Sequence, residues 1–337
     1  MSQTNLESYP PLFRPHTPTK PTDDVVLHDV ITEVPELPLI DLQCLNPEKL
    51  GEACKNWGFF RLVNHGIPLN LLTELQDCSK KLLSESFEYK KGVIISPVSY
   101  FWGTPALNSS GGTISSSLHN VNWVEGFNVP LAQLPQFQTD DLMLHSFRLL
   151  LEEYGEHLAR IATTIFDAIA KILNLNNSDK SKSYLSESTG VLRIYRYPKC
   201  ALADETLGME AHTDSSVLSI LNLHEQVGGL ELLKDEQWLH VEPIPNTLII
   251  NLGDMMQAIS DDEYKSVKHR VKANKYEERL SICYFVFPAE ECVIQTSKYK
   301  PFTYKDFQKQ VQHDIKTTGF KVGLHNFKQI QPLEPAS

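Results

Sequence analysis

Apolar residues along this chain recur at two different spacings, and the switches between them mark the elements. Glu36-Leu37-Pro38-Leu39-Ile40-Asp41-Leu42 is a short strand, and Asn46-Pro47 then offers an N-cap followed by proline at the first helical position. The helix that starts there carries Leu50 and Ala53 toward Trp57. Gly58 to Gly66 is a strand closed by a turn, and Leu69, Leu72, Leu75 and Leu82 predict a second helix from Pro68 to about Ser84. The clearest helix runs from Phe147 through Leu151, Tyr154, Leu158, Ile161, Ile165 and Ile169 to Ile172, in steps of three and four. Asn174 to Ser188 is polar and reads as a linker. After it the pattern becomes strand-like, at Val191–Tyr197, Val217–Leu223, Leu230–Leu233, Trp238–His240, Thr247–Leu252 and Leu280–Phe287, with turns at Gly228-Gly229 and Asp235-Glu236. Thr303-Tyr304-Lys305-Asp306 resembles a capping box, and Phe307, Val311 and Ile315 give a last helical stripe that stops at Gly319.

These elements predict a protein that is mainly β with flanking helices, built on a jelly-roll core. The expected divisions are an extended, Pro- and Thr-rich arm over 1–35, a mixed α/β unit over 36–180, the jelly roll over 185–295 and a helical tail over 300–326. With 337 residues, 41% of them hydrophobic, the chain can bury a substantial core. Its net charge of −11 argues against nucleic acid or an anionic membrane as partner. It contains no apolar run of the roughly 18 residues that a membrane span needs, and no basic-then-apolar leader. Six cysteines without CxxC spacing suit a reduced chain, so a cytoplasmic monomer acting on a small molecule is expected.

The candidate chemistry begins at Glu210-Ala211-His212-Thr213-Asp214. His212 and Asp214 stand two residues apart, a spacing that puts two side chains of a strand on one face about 7 Å apart. His269, 55 positions after Asp214 (269 − 214), is a candidate third donor. Two histidines and a carboxylate on one side of a metal form the facial triad of non-haem Fe(II) oxygenases. A chance match is a real alternative in so acidic a chain, and His240-Val241-Glu242 is a second instance. It runs into Pro243-Ile244-Pro245, however, with no third ligand after it. His65 lies in a tight Asn-His-Gly turn and is expected to be structural.

Ten residues after His269 (279 − 269) comes Arg279, with Ser281 on the same strand face. A guanidinium and a hydroxyl converging on one spot make a carboxylate receptor, and Tyr197 could donate a further hydrogen bond. Between Ile94 and Leu134 the pattern breaks down: Tyr100, Phe101, Trp102, Trp123 and Phe127 sit among Gly, Ser, Asn and Pro. Such a segment lines a pocket for an apolar ligand or merely covers the core.

Taken together, Arg196-Tyr197-Pro198, His212-Thr213-Asp214, Val227-Gly228-Gly229-Leu230, Gly253-Asp254, Tyr264 to Val271 and Arg279-Leu280-Ser281 resemble the plant 2-oxoglutarate/Fe(II)-dependent dioxygenases. The resemblance extends from Pro38-Leu39-Ile40-Asp41 and Trp57-Gly58-Phe59-Phe60 to the last helix. It implies a double-stranded β-helix core with iron held by His212, Asp214 and His269, and 2-oxoglutarate held by Arg279 and Ser281 with help from Tyr197. It also implies molecular oxygen as co-reactant, ascorbate as reductant, and substrate oxidation coupled to release of succinate and CO2. Within this family the chain is most similar to gibberellin 2-oxidases of the C20-gibberellin type, through Trp123 to Leu131, Gln257-Ala258 and Val311 to Leu324.

Three departures stand out. Tyr195 occupies a position that is usually Asn, Asp261-Asp262 replaces a Ser-Asn-type turn, and Lys199-Cys200-Ala201-Leu202 alters the turn after the Tyr-Pro pair. Tyr195 is expected to project into the pocket and change the substrate shape accepted. The alternatives are an oxygenase hydroxylating or desaturating a steroid, alkaloid or phenolic, a non-catalytic jelly-roll binding protein, and a zinc hydrolase. The last would leave Arg279 and Ser281 without a purpose.

Overall fold

The computed structural model describes residues 6–16, 36–93, 96–103, 122–175, 182–200, 203, 206–223 and 227–329. In chain order its elements are β1 (Leu39–Asp41), α1 (Pro47–Asn56), β2 (Phe59–Val63), α2 (Leu69–Ser84), α3 (Phe87–Val93), β3 (Ser99–Trp102), β4 (Glu125–Pro130) and α4 (Leu142–Ile172). Then come β5 (Ser186–Tyr197), β6 (Leu207–His212), β7 (Leu218–Asn222), β8 (Leu230–Lys234), β9 (Gln237–His240), β10 (Leu248–Leu252) and α5 (Asp254–Ile259). The chain continues through β11 (His269–Lys272), β12 (Arg279–Phe287), the short pair β13 (Val293–Ile294) and β14 (Phe302–Thr303), and α6 (Tyr304–Thr318).

Two sheets carry the architecture. The larger has the order β1-β2-β10-β7-β12-β5-β4-β3 and the smaller β6-β11-β8-β9. Strands β7, β10 and most of β12 are buried on both faces, which is why they read as nearly continuous apolar runs. One face of the large sheet, with Phe60, Leu62, Ile194, Ile220, Ile250 and Ile282, packs against the helices in the main hydrophobic cluster. The other face, with Phe59, Tyr195, Leu221, Ile249 and Cys283, meets Leu230, Leu232 and Val271 of the small sheet in a second cluster. The candidate site residues Tyr195 and Tyr197 lie in this second space.

The helices form for local reasons. Asn46 caps α1 by accepting from Lys49 N, and Pro47 opens that helix. Asp141 caps α4 by accepting from Met143 N and Leu144 N, so the helix starts five residues ahead of the expected Phe147. The expected stripe of α4 is otherwise buried from Phe147 to Ile169. Thr303 and Asp306 form the capping box of α6, which ends at Gly319 in the left-handed conformation. At Gly58, with φ of 61°, a Cβ would stand 2.4 Å from Lys265 O, so glycine is required where β2 approaches the loop leading to His269.

Several expectations need correction. The 94–134 segment is not wholly irregular: β3 and β4 pair with each other and β4 pairs with β5, adding two strands to the large sheet. Residues 104–121 of that segment lie outside the described residues. The extended arm over 1–35 fails at 6–16, where two 3-10 turns seat Tyr9 and Phe13 on Trp102 and Trp123 with ring centroids 4.9–6.2 Å apart. Residues 17–35 lie outside the described residues. β5 begins at Ser186, inside the expected linker, and strands from before and after that linker share one sheet. β6 and β11, which carry the two key histidines, were not legible as strands; each is short and mixes polar with apolar residues.

Candidate functional site

His212 is the last residue of β6 and His269 the first of β11, and the two stand opposite each other in the antiparallel register. Asp214 lies beyond the strand, where the chain crosses from the small sheet toward β7 of the large one. The two-residue spacing therefore works through the irregular segment after β6 and not through strand alternation, a correction to the expected geometry. Asp214 Oδ1 is 3.8 Å from His212 Nε2 and 3.8 Å from His269 Nε2, and the imidazole centroids are 4.3 Å apart. Among the described residues this is the one group of three such side chains whose donor atoms all lie within 4.8 Å of one another.

Outer contacts orient each donor. His212 Nδ1 is 2.7 Å from Glu210 O and His269 Nδ1 is 3.1 Å from Val267 O. A carbonyl accepts only from a protonated nitrogen, so both Nε2 atoms carry the free lone pair. Asp214 Oδ2 accepts from Ser219 Oγ and Asn251 Nδ2, each at 2.6 Å, which leaves Oδ1 to face the histidines. Burial works against the Asp214 carboxylate, but the two histidines and these hydrogen bonds outweigh it and hold its pKa below the usual range. Burial, followed by the neighbouring His269, pushes the His212 pKa down to about 4. A neutral imidazole and an ionised carboxylate with oriented lone pairs fit a ferrous ion.

The His212 shift has a consequence for the metal-free protein. Above about pH 6.5 the imidazole is neutral in both the folded and the unfolded chain. Below that, the unfolded chain takes up a proton that the folded chain refuses until about pH 4. This contribution to stability is therefore lost progressively as pH falls from 6.5 toward 4. In chelator, the melting temperature of the wild type is expected to drop more between pH 7 and pH 5 than that of His212→Gln; parallel curves would contradict this.

The residues expected to form a carboxylate receptor also come together. Arg279 opens β12 and faces Tyr197 across the ladder, while Ser281 faces Tyr195. The Arg279 guanidinium carbon lies 5.0 Å from the Tyr197 ring centroid, and Nη1 is buried with no hydrogen-bond partner among the described residues. No acidic residue neutralises Arg279 among the described residues. A buried cationic donor left unpartnered is costly and points to a ligand that completes it. Ser281 is buried, with Oγ 3.3 Å from Cys283 Sγ. Tyr197 packs against Gly208 of β6, which ties the receptor to the strand bearing His212.

The aromatic residues expected to line a pocket divide by strand alternation. Phe101 and Tyr195 share the inner face, with ring centroids 5.8 Å apart. Tyr100 and Phe127 point the other way, into the helical layer, and Trp102 and Trp123 are taken up by Tyr9 and Phe13. These four are therefore not placed as pocket residues. His65 is structural, with Nδ1 accepting from Ile67 N. His240 pairs with Glu242 at 3.5 Å on the surface. The Asp261-Asp262 departure also has a structural role. Both residues are left-handed, and Asp262 accepts from Gln257 Nε2, while Gln257 Oε1 accepts from Ser266 N and shapes the approach to His269.

Three residues of the inner space escaped the sequence reading. Ser219 and Asn251 were detectable as polar residues inside apolar strands, since buried polar groups need partners. Arg193 lies two and four residues before Tyr195 and Tyr197, hence on their face. Its Nε donates to Asn128 Oδ1 at 2.9 Å, Nη1 lies 3.4 Å from Tyr195 Oη, and the guanidinium carbon is 5.3 Å from the Phe285 ring centroid. The Arg193 side chain is exposed, and no carboxylate pairs with it among the described residues.

A pair of sheets enclosing a His-Asp-His group beside an arginine with no acidic partner among the described residues defines a class, and the chain belongs to the 2OG-Fe(II) oxygenase superfamily. The model of that superfamily matches residues 188–288, and that of the non-haem dioxygenase in morphine synthesis N-terminal region matches 37–142. It is thus a 2-oxoglutarate-dependent dioxygenase requiring Fe(II) and 2-oxoglutarate, with the mainly β, helix-flanked jelly-roll fold expected. Within the superfamily it is similar to gibberellin 2-beta-dioxygenase 6 of Oryza sativa subsp. japonica, at 37% identity over 312 residues covering 87% of this chain and 85% of that one. Gibberellin 2-beta-dioxygenase 8 of Arabidopsis thaliana is 37% identical over 313 residues, 88% of each chain. The crystal structure of JOX2 in complex with 2OG, Fe and JA has a TM-score of 0.72 at 26% identity, covering 88% of this chain and 90% of that one. Among the described residues no helix is long and apolar enough to cross a membrane.

Proposed function

We propose that His212, Asp214 and His269 hold the iron, that Arg279, Ser281 and Tyr197 hold 2-oxoglutarate, and that the substrate is a gibberellin or a closely related apolar acid. The observation that carries the reading is the buried, unpartnered Arg279 Nη1 on the inner face that also bears Tyr197, beside three converging metal donors. Similarity to the gibberellin 2-beta-dioxygenases supports the substrate class, and so does the exposed Arg193 beside the aromatic wall of Phe101 and Tyr195.

Bound there, iron and 2-oxoglutarate supply oxidative decarboxylation coupled to substrate oxidation. The residues bind and orient. Nε2 of each histidine and Oδ1 of Asp214 would supply the three protein donors to the ion. Arg279 presents a planar fork to the far carboxylate of the cosubstrate, with Ser281 Oγ beside it. The Tyr195, Tyr197 and Phe101 rings exclude water from the space between the sheets. Arg193 pairs with the substrate carboxylate. We further take the protein to act as a cytoplasmic monomer, a reading supported by six cysteines that are all free thiols.

Incubation with Fe(II), ascorbate, labelled 2-oxoglutarate and a panel of gibberellins is expected to release succinate and CO2 in step with a product one oxygen heavier. Arg193→Met is expected to raise KM for the free acid on the order of tenfold or more, from the loss of a charged hydrogen bond. It should leave the methyl ester's KM unchanged. Turnover of a steroid, alkaloid or phenolic but of no gibberellin would remove the substrate assignment and leave the reaction class standing.

A further inference from the structure

The stretch from Thr213 to Val217 belongs to neither β6 nor β7, yet it determines where the Asp214 carboxylate stands. The start of α5 holds it by three backbone contacts, one of them from Met255 N to Ser216 O at 3.1 Å. Asp254 N donates to Asp214 O at 2.8 Å, and Gly253 N donates to Val217 O at 3.2 Å. Gly253 packs so closely that a Cβ there would lie 2.2 Å from Ser216 O.

A further hold comes from the far end of the chain. Lys321 Nζ donates to Thr213 O at 2.9 Å and to Ser215 Oγ at 3.0 Å, and it pairs with Asp254 Oδ2 at 2.6 Å. An ammonium has three donors. Here all three are used, on both neighbours of Asp214 and on the residue whose amide binds the Asp214 carbonyl. The Lys321 and Asp254 side chains are only 18% and 6% exposed, unlike a solvated surface pair.

The tail is folded to deliver this lysine. The chain leaves α6 through the left-handed Gly319, and Asp314 Oδ2 then accepts from Val322 N at 3.1 Å and Gly323 N at 3.2 Å. Asn326 Nδ2 closes on the same carboxylate. These contacts fix the backbone just past Lys321, and Nζ lies 5.6 Å from the Phe307 ring centroid.

We propose that Lys321 is a positioning residue for the metal site, an inference that rests on reading His212, Asp214 and His269 as the iron ligands. By clamping Thr213 and Ser215 it sets the backbone of Asp214, so that Oδ1 faces the two Nε2 atoms while Ser219 and Asn251 hold Oδ2. The C-terminal segment thereby contributes to iron affinity without touching iron.

The test is titration of the metal-free full chain with Co(II), followed by ligand-field absorbance, alongside melting temperature in chelator. Lys321→Met is expected to weaken Co(II) binding about tenfold, as the loss of an outer contact to a metal ligand does, and to alter the ligand-field bands. Lys321→Arg should recover part of the affinity. A merely structural lysine would lower the metal-free melting temperature and leave the Co(II) affinity and spectrum as in wild type; that result overturns the proposal. Should Lys321→Met not fold, the shorter Lys321→Gln, which cannot reach Thr213 O, Ser215 Oγ and Asp254 at once, takes its place, and wild-type Co(II) affinity in that variant would overturn the proposal equally. His212→Ala separates the two levels. Unchanged Co(II) binding in His212→Ala means that the ligand assignment has failed and Lys321 with it. Lost binding there, with wild-type binding in Lys321→Met, refutes the role of Lys321 alone.

Discussion

Arg279→Met is expected to lose 2-oxoglutarate while keeping its fold. A charge-assisted, buried contact to a carboxylate contributes about 2–5 kcal/mol, which is roughly 30-fold to several thousand-fold in affinity. KM for the cosubstrate should rise accordingly, with Co(II) affinity nearly unchanged. Stability should move the other way. The Arg279 Nη1 donor is buried and unpartnered, so an apolar side chain of similar length relieves a cost, and the melting temperature in the absence of cosubstrate should hold or rise. Arg279→Lys keeps the charge but not the planar fork, so it should recover only part of the affinity. An unchanged KM in Arg279→Met would remove this residue from the cosubstrate site.

The second large effect lies on the opposite face of the large sheet. Glu125 in β4 is 1% exposed, yet it pairs with Lys90 Nζ at 2.6 Å and Arg196 Nη1 at 2.8 Å, and it accepts from Tyr100 Oη at 2.6 Å. Lys90 also donates to Ser8 O and Leu83 O, and Arg196 reaches Glu278. Burial lowers the Lys90 pKa, with Glu125 opposing it. Glu125→Ala takes from the buried Lys90 its carboxylate partner and leaves Arg196 with Glu278 alone. Breaking one partner of a buried pair costs about 3–5 kcal/mol, so the melting temperature should fall on the order of 10 °C. Glu125→Gln, which can still accept hydrogen bonds, should fall less. A melting temperature within a degree or two of wild type in Glu125→Ala would show that water reaches this cluster.

The same residues explain what could and could not be read in advance. Helices α1, α2, α4 and α6 were legible because apolar spacing and capping are local properties. The convergence of His212 and Asp214 and the shared face of Arg279 and Ser281 were legible because each pair keeps a two-residue spacing at one strand end or on one strand. Tyr100, Trp102, Trp123 and Phe127 were misjudged because β3 and β4 are stabilised by pairing with β5, far along the chain. Gly126 and Asn128 inside β4 leave only a weak strand signal. The packing of Tyr9 and Phe13 has no local signature at all. It depends on Trp102 and Trp123, which no periodicity around residues 6–16 reveals.

On β5 these two halves of the molecule lie on alternate residues. Odd-numbered positions 193, 195 and 197 look toward the reaction space, and even-numbered positions 192, 194 and 196 anchor the helical layer and the ion cluster. Parity therefore separates selectivity from robustness along a single ribbon of backbone. If the proposed substrate roles hold, a library at the exposed Arg193 would redirect the enzyme at less risk to folding than one at the buried Tyr195. The same diversity shifted by one residue would fall on Ile194 and Arg196, where it removes helical-layer packing and the pairing of Glu125, and would lower stability.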